Sequence, residues 1–166
     1  VGGSIDIPRG FAFRADGTGS LLTAKDVTAR VHGTGVVTAN GGTASIEGGS
    51  LQSGSIAFRA SGTGSGIEAR RVKLAFDDLS VGALAEDGGS ISLHDGIEIK
   101  ASRNSDGTAG AVAIGAGSTV YLDGARIDLT AVDNGEAIDA YGVLAEDGGH
   151  IALANRARVD FGAGNT

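Results

Sequence analysis

Apolar and polar residues alternate along this chain with a period of two, in short bursts. Ile91-Ser92-Leu93, Val120-Tyr121-Leu122 and Ile151-Ala152-Leu153 are three such bursts, and Leu22–Ala24, Ala44–Ile46 and Ile67–Ala69 are earlier forms. A second series reads Ile97–Ala101, Ala125–Leu129 and Ala157–Phe161, matched by Val27–Val31 and Val72–Phe76. Alternation of this kind predicts strands with one buried and one wet face. No segment sustains the i, i+3, i+4 apolar stripe of an amphipathic helix. A third type of segment, such as Gly82–Ala85, is apolar on both faces, so the pattern does not assign its inward side.

The bursts recur. Leu84–Ile91 and Leu144–Ile151 share seven identical positions, differing only at Ser90 and His150. Phe11–Val31 and Ile56–Phe76 are identical at ten of 21 positions. Aligned on these copies, units start near Gly10, Gly35, Ser55, Gly82, Gly110 and Gly142, at spacings of 25, 20, 27, 28 and 32 residues. The opening Gly2–Ile7 resembles the middle of a unit, so the chain is expected to begin in mid-repeat. Repeats of this length mark a solenoid. Each unit is too short for a crossover helix, and glycine sits at the joints. Gly41-Gly42, Gly88-Gly89 and Gly148-Gly149 separate the first and second strands, where a glycine pair permits a tight corner. The second and third strands are joined by two to four residues, such as Lys25-Asp26, Arg70-Arg71 or His94–Gly96. Length variation gathers in a third connection, Ser102–Thr108 and Asp133–Glu136. The expected fold is all-β: a right-handed parallel β-helix of about six coils, each of three short strands, with residues 1–166 forming a single segment.

Composition narrows the function classes. Glycine supplies 30 of 166 residues and proline one, which excludes collagen, and 41% hydrophobic content argues against a disordered linker. The apolar residues are small or β-branched, with only seven Phe and Tyr and no Trp, which fits a core of small side chains. The lack of cysteine excludes a disulfide framework and thiolate metal sites. A net charge of −7 makes nucleic acid and anionic membranes poor partners. No apolar run approaches the roughly 20 residues of a spanning helix, and any targeting segment is expected outside this chain.

The coil style at Gly35–Ile46, Gly82–Leu93, Gly110–Leu122 and Gly142–Leu153 resembles the passenger domains of Gram-negative autotransporters, of the pertactin-like kind. The resemblance covers essentially the whole chain and concerns a style of repeat. It implies an extracellular rod, exported through a C-terminal β-barrel that lies outside this chain and displayed at the bacterial cell surface. It also implies roles in adhesion, autoaggregation or immune evasion, with a host surface or extracellular protein as partner. On this view the chain is a stretch of a longer passenger stalk.

Asp77-Asp78, after Arg71 and Lys73, offers paired carboxylates that a glycosidase needs; the plainer reading is a solvated acidic turn. His32, His94 and His150 fall at different steps of their coils and are not expected to converge on a metal. Asp16-Gly17-Thr18 and Asp106-Gly107-Thr108 read as turns whose Asp accepts from backbone N–H groups, with calcium as the alternative. Glu86-Asp87 and Glu146-Asp147 recur at equivalent places and, with Glu47, Asp123 and Asp128, could build an acidic ridge for a basic partner; solubility is the simpler account. Gly62–Gly66 lacks the Lys and helix of a phosphate-binding loop. We assign no catalytic, cofactor or metal site. The leading expectation is a non-enzymatic stalk and adhesin; a carbohydrate-active β-helix enzyme, hydrolase or lyase, is the alternative. End-to-end self-association is expected if strand edges at the ends are uncapped.

Overall fold

In the computed structural model, which describes residues 3–77, 80–103, 106–131 and 139–162, every strand pair is parallel and joins one coil to the next. Coil 1 holds β2 (Phe11–Asp16) and β3 (Leu21–Val31), and coil 2 holds β4 (Thr34–Ala39) and β5 (Thr43–Ser53). Coil 3 has β6 (Phe58–Ser61), β7 (Gly66–Arg70) and β8 (Lys73–Phe76); coil 4 has β9 (Val81–Glu86), β10 (Ser90–His94) and β11 (Glu98–Ala101). Coil 5 has β12 (Ala109–Ile114), β13 (Thr119–Asp123) and β14 (Arg126–Leu129); coil 6 has β15 (Tyr141–Glu146), β16 (His150–Ala154) and β17 (Arg158–Phe161). A leading strand, β1 (Ser4–Ile7), pairs with the last part of β3. The first strands stack in the order β15-β12-β9-β6-β4-β2, a face of six rungs. This is a right-handed parallel β-helix of six coils, and at about 4.8 Å per rung the rod is roughly 30 Å long.

Register is the decisive observation. Leu93 pairs with Leu122, and Leu122 with Leu153, so residues matched by the repeat are physical neighbours. The same holds for Leu51, Leu74, Ile99, Ile127 and Val159 along the third strand. These inward columns merge into one core in which Leu74, Ile91, Leu93, Ile99, Leu122 and Ile127 are essentially inaccessible. Each such side chain contributes about 2 kcal/mol by leaving water. The first strand, ambiguous in sequence, turns Ala83 and Ala85 inward, stacked on Ala111 and Ala113. Leu84 and Val112 point outward in the same register. Alanines face the large side chains of the other two strands, which keeps the coil narrow.

One expectation needs refinement. Lys25-Asp26 does not separate two strands: β3 and β5 run unbroken around that corner and fuse the second and third faces into a single 11-stranded sheet. Asp26 adopts a positive φ of 52° within β3, a local kink that bends the strand without breaking its pairing to β5. The part of the variable connection at Asp133–Glu136 lies outside the described residues.

The coils also alternate. Even coils turn their first corner through two consecutive positive-φ residues, Asn40-Gly41, Asp87-Gly88 and Asp147-Gly148. Odd coils use a wider corner, with positive φ at Gly17 and Gly19, Gly62 and Gly64, Gly115 and Gly117. The second corner alternates in the same sense, with one left-handed residue in odd coils (Asp26, Arg71, Gly124) and two in even coils (Gly48-Gly49, Asp95-Gly96, Asn155-Arg156). The structural repeat is therefore a pair of coils, which is why the two strongest sequence matches each join coils two apart.

Serine hydroxyls lock the pairs together. Ser65 Oγ donates to the Ser61 carbonyl at 2.7 Å and accepts from Gly41 N–H, one coil below, at 3.0 Å. Ser118 Oγ repeats this with the Ile114 carbonyl at 2.6 Å and Gly88 N–H at 3.0 Å. In the other direction, Gly17, Gly62 and Gly115 N–H groups donate to Ala39, Glu86 and Glu146 carbonyls in the coil above. Ser20 makes the contact within its own coil, to Asp16 O, and among the described residues receives no N–H from a corner glycine. Ser65 and Ser118 are buried, so losing the hydroxyl strands two backbone groups. Ser65→Ala and Ser118→Ala should each destabilise by about 2–3 kcal/mol in urea titrations, whereas Ser20→Ala should cost less than about 1 kcal/mol. Equal effects at all three positions would refute the interlock.

Candidate functional site

Stacking buries the inward columns of the middle coils, so the residues free to act there lie on the outer columns, although Val37 and Val112 are covered even so, at 6% and 4% exposure. On the first face, Arg14, Val37, Arg59, Leu84, Val112 and Leu144 occupy one outward column. Arg59 Nε donates to Glu86 Oε1 at 2.7 Å across one rung. Glu86 and Glu146 belong to a single column, but Ile114 separates them. Asp87 and Asp147 are corner residues in the left-handed region, with φ of 53° and 50°. The acidic pairs therefore act as a strand end and a turn former, and they do not join into a ridge. Glu47, Asp123 and Asp128 lie on the other faces, each beside its own cation or donor.

At the corner between the second and third strands, charges alternate up the rod. Lys25 Nζ lies 3.3 Å from Glu47, and Arg71 pairs with the same carboxylate. Arg70 bridges Glu68 at 2.6 Å and Asp95 at 3.3 Å, and these partners, Glu68 first, raise its pKa. Above them, His94 Nδ1 lies 3.6 Å from Asp123 Oδ2, with its ring centroid 5.6 Å from that of Tyr121. Asn155 Nδ2 donates to the other oxygen of Asp123 at 2.5 Å. A shallow groove of about 510 Å³ runs along the second face beside His94, floored by Ser45, Gly66, Ser90 and Ser92.

The third face divides into two halves. Over coils 4 to 6, Arg126 is the hub of an ion-pair network, with Nε 2.7 Å from Asp160, Nη1 3.6 Å from Glu98 and Nη2 3.5 Å from Asp128. Its pKa is raised, chiefly by the hydrogen bond to Asp160. Over coils 1 to 4, a second groove of about 420 Å³ is lined by Arg30, Ser50, Gln52, Lys73 and Lys100 among others. Arg30 and Lys73 have no ion-pair partner among the described residues, and Lys100 reaches only to 4.0 Å from Asp128.

The remaining residues singled out in the sequence are dispersed. Asp77 follows β8 and donates its backbone N–H to Ser53 O at 3.1 Å, while Arg71 sits beyond the opposite end of that strand, held by Glu47. Asp78 lies outside the described residues. His32, His94 and His150 stand in separate columns, and among the described residues no group of three His, Cys, Asp or Glu forms a metal-holding cluster. Asp16 accepts from Arg14 and from Asn40 Nδ2 at 2.8 Å, and Arg14 first, then Asn40, hold its carboxyl below the ordinary range. Asp106 Oδ1 accepts from Asp139 N–H at 3.1 Å, tying two loops of adjacent coils. Both Asp-Gly-Thr turns thus use the aspartate to hold the next coil. Gly62–Gly66 is the wide corner of coil 3 and the first step of β7. The basic groove escaped the sequence reading because its cations are 43 and 27 positions apart in the chain (Arg30, Lys73, Lys100). Only the coil register makes them neighbours.

No family model, no curated protein and no solved structure matches this chain. The functional reading therefore rests on the geometry of the rod and its faces.

Asp128 is, among the described residues, the one charged residue that is buried, at 5% exposure. Its carboxylate accepts from Thr130 Oγ1 at 2.5 Å and Thr130 N–H at 3.1 Å. The Thr130 hydroxyl, then its N–H and the charges of Arg126 and Lys100, outweigh burial and hold the carboxyl below its usual value. A value depressed on folding stabilises the native state above the unfolded pKa of about 3.9. That contribution disappears as pH falls through the lowered native value. Asp128→Asn should cost about 1–2 kcal/mol at pH 7 and flatten the loss of stability below pH ~4. Denaturant melts from pH 7 to 2 check both; a variant as acid-sensitive as the parent would count against this assignment.

Proposed function

We propose that this chain is a length of extracellular β-helical stalk of the autotransporter type, an adhesive rod that carries binding faces away from a bacterial surface. The observation that carries this reading is the unbroken register of six coils, which sets outer side chains in columns along the rod. A solenoid of this kind is stiff along its axis, because each coil is bound to the next by a full ladder and a shared core. Its described faces carry open grooves along the rod, which suits an adhesin. Antibody raised against the 166-residue chain should label intact, unpermeabilised cells of the organism that makes it. Labelling that appears only after lysis overturns the reading. So does release of reducing ends when the purified chain is mixed with polygalacturonate or bacterial polysaccharides, which would favour the enzyme.

The same rod favours association through its last described coil. There Leu153 is 46% exposed, Phe161 42% and Tyr141 42%, while their counterparts in coil 5 are buried. Among the described residues, no strand pairs with the outer edge of β15, β16 and β17. The isolated chain should grow in mass with concentration by multi-angle light scattering, and charged substitutions at Leu153 and Phe161 should abolish the growth. A monomer at high concentration would show that this edge is protected.

A further inference from the structure

The structure assigns to the groove on the third face, over coils 1 to 4, a binding site for a linear anionic polysaccharide, a chain of sugars bearing carboxylate or sulfate groups. The assignment rests on reading the rod as a binding protein, and it names the ligand of one face. Three observations carry it. First, the charge is unspent. In a chain of net charge −7, most cations on the rod are matched to carboxylates, yet Arg30 and Lys73 are unpaired among the described residues and open into one groove with Lys100. Each of these two unpaired cations has a carboxylate as its rung neighbour: Glu98, itself in the groove lining, beside Lys73, and Asp6 beside Arg30, with no ion pair formed to either cation among the described residues. Glu98 is engaged by Arg126 at 3.6 Å.

Second, the cations follow the axis. Arg30 and Lys100 share one outward column, with Gln52 and Ala75 between them, and Lys73 stands in the next column, two residues or about 7 Å to the side. On coils 1, 3 and 4 they lie at about 0, 10 and 14 Å along the rod. A sugar unit in an extended chain is about as long as one rung. A polymer laid along the rod thus meets a cation with anionic groups one or two sugars apart. Between the cations, Ser50 and Gln52 offer a hydroxyl and an amide to sugar hydroxyls.

Third, the groove suits this class over other polyanions. Its lining has no aromatic ring for stacking bases, and the overall negative charge opposes a polymer as densely charged as nucleic acid. Its floor is built from β3, β5, β8 and β11, each hydrogen-bonded on both sides, so no free edge remains to accept a peptide strand. No large exposed apolar side chain is present there to anchor an acidic helix.

The test uses the purified 166-residue chain with hexagalacturonate, a sulfated dextran, uncharged maltohexaose, poly-glutamate and single-stranded oligothymidine, followed by calorimetry or affinity electrophoresis. The expected result is saturable binding of one or both anionic glycans, weakened severalfold between 50 and 300 mM salt, and none of maltohexaose. Binding to hexagalacturonate alone identifies carboxylate recognition, and binding to the sulfated dextran alone identifies sulfate recognition. Arg30→Gln with Lys73→Gln should weaken it at least tenfold, and Arg59→Gln, on the first face, should leave it unchanged. Arg30 and Lys73 are exposed and Arg59 is half-buried beside Glu86, and matched urea midpoints will confirm that the variants fold. The assignment is overturned if neither anionic glycan binds, if maltohexaose binds as well, if poly-glutamate or oligothymidine binds as tightly, or if the double variant binds like the parent. Surface labelling of cells is read independently, so a cytoplasmic location would defeat the stalk reading while leaving the groove measurement intact.

Discussion

Everything in this molecule follows from stacking in register at one strand spacing. Once a coil lies on the next with its residues aligned, each side chain has its counterpart as nearest neighbour, about 4.8 Å away. Inward positions must then be apolar in every coil and mutually compatible in size. Outward positions become columns in which like charges repel: the column Lys25, Glu47, Arg70 alternates, while the adjacent like pairs Arg126/Arg158 and Asp128/Asp160 are offset by ion pairs between the two columns. The same constraint acts hardest at the corners, where the backbone of one coil approaches that of the next.

Glycine answers that constraint in two different ways. At Gly88 and Gly148 the chain needs positive φ, 83° and 85°, directly after an aspartate already in the left-handed region. At Gly89 and Gly149 the need is space: a Cβ would stand 2.2 Å from the Ala60 or Ala113 carbonyl of the coil below. Gly82 and Gly110 form a further column where an added Cβ would meet Ile99 or Ile127 Cγ2 at 2.4 Å. The inner side chain of the third strand fills the volume that a first-strand side chain would take. Composition registers only that glycine is abundant; these are distinct steric demands.

The alternation of coils gives the rod its internal logic. A wide corner carries the serine, and a tight corner supplies the N–H that the serine accepts, so neither type stacks equally well on itself. Coil pairs, with their own hydrogen bonds in each direction, are the unit that repeats. The interlock also explains why sequence identity is strongest between coils two apart and weaker between neighbours that are in contact. Function then resides in what the register leaves on the outside. Most of the charge there is self-matched, and the basic groove of the third face brings two unpaired cations, Arg30 and Lys73, together with Lys100.

Much of the architecture was legible in one dimension. Period-two alternation, glycine at fixed steps and repeated units of solenoid length determine parallel coils, their number and the inward residues of the second and third strands, because burial of one face forces that pattern on any sequence. The inward side of the first strand was not legible, since Leu84 and Val112 are as apolar as the residues they flank; only packing against Ile99 and Ile127 decides it. Nor was the fusion of faces at β3 and β5, which depends on pairing across a kink at Asp26. The candidate site was hidden for a related reason. Arg30, Lys73 and Lys100 belong to three different coils, and their convergence is a property of register. Sequence by itself determined which residues can be buried and how often the chain must turn. Tertiary structure alone decided which distant charges share a face, because neighbours across coils are set by the length of each turn and not by order along the chain.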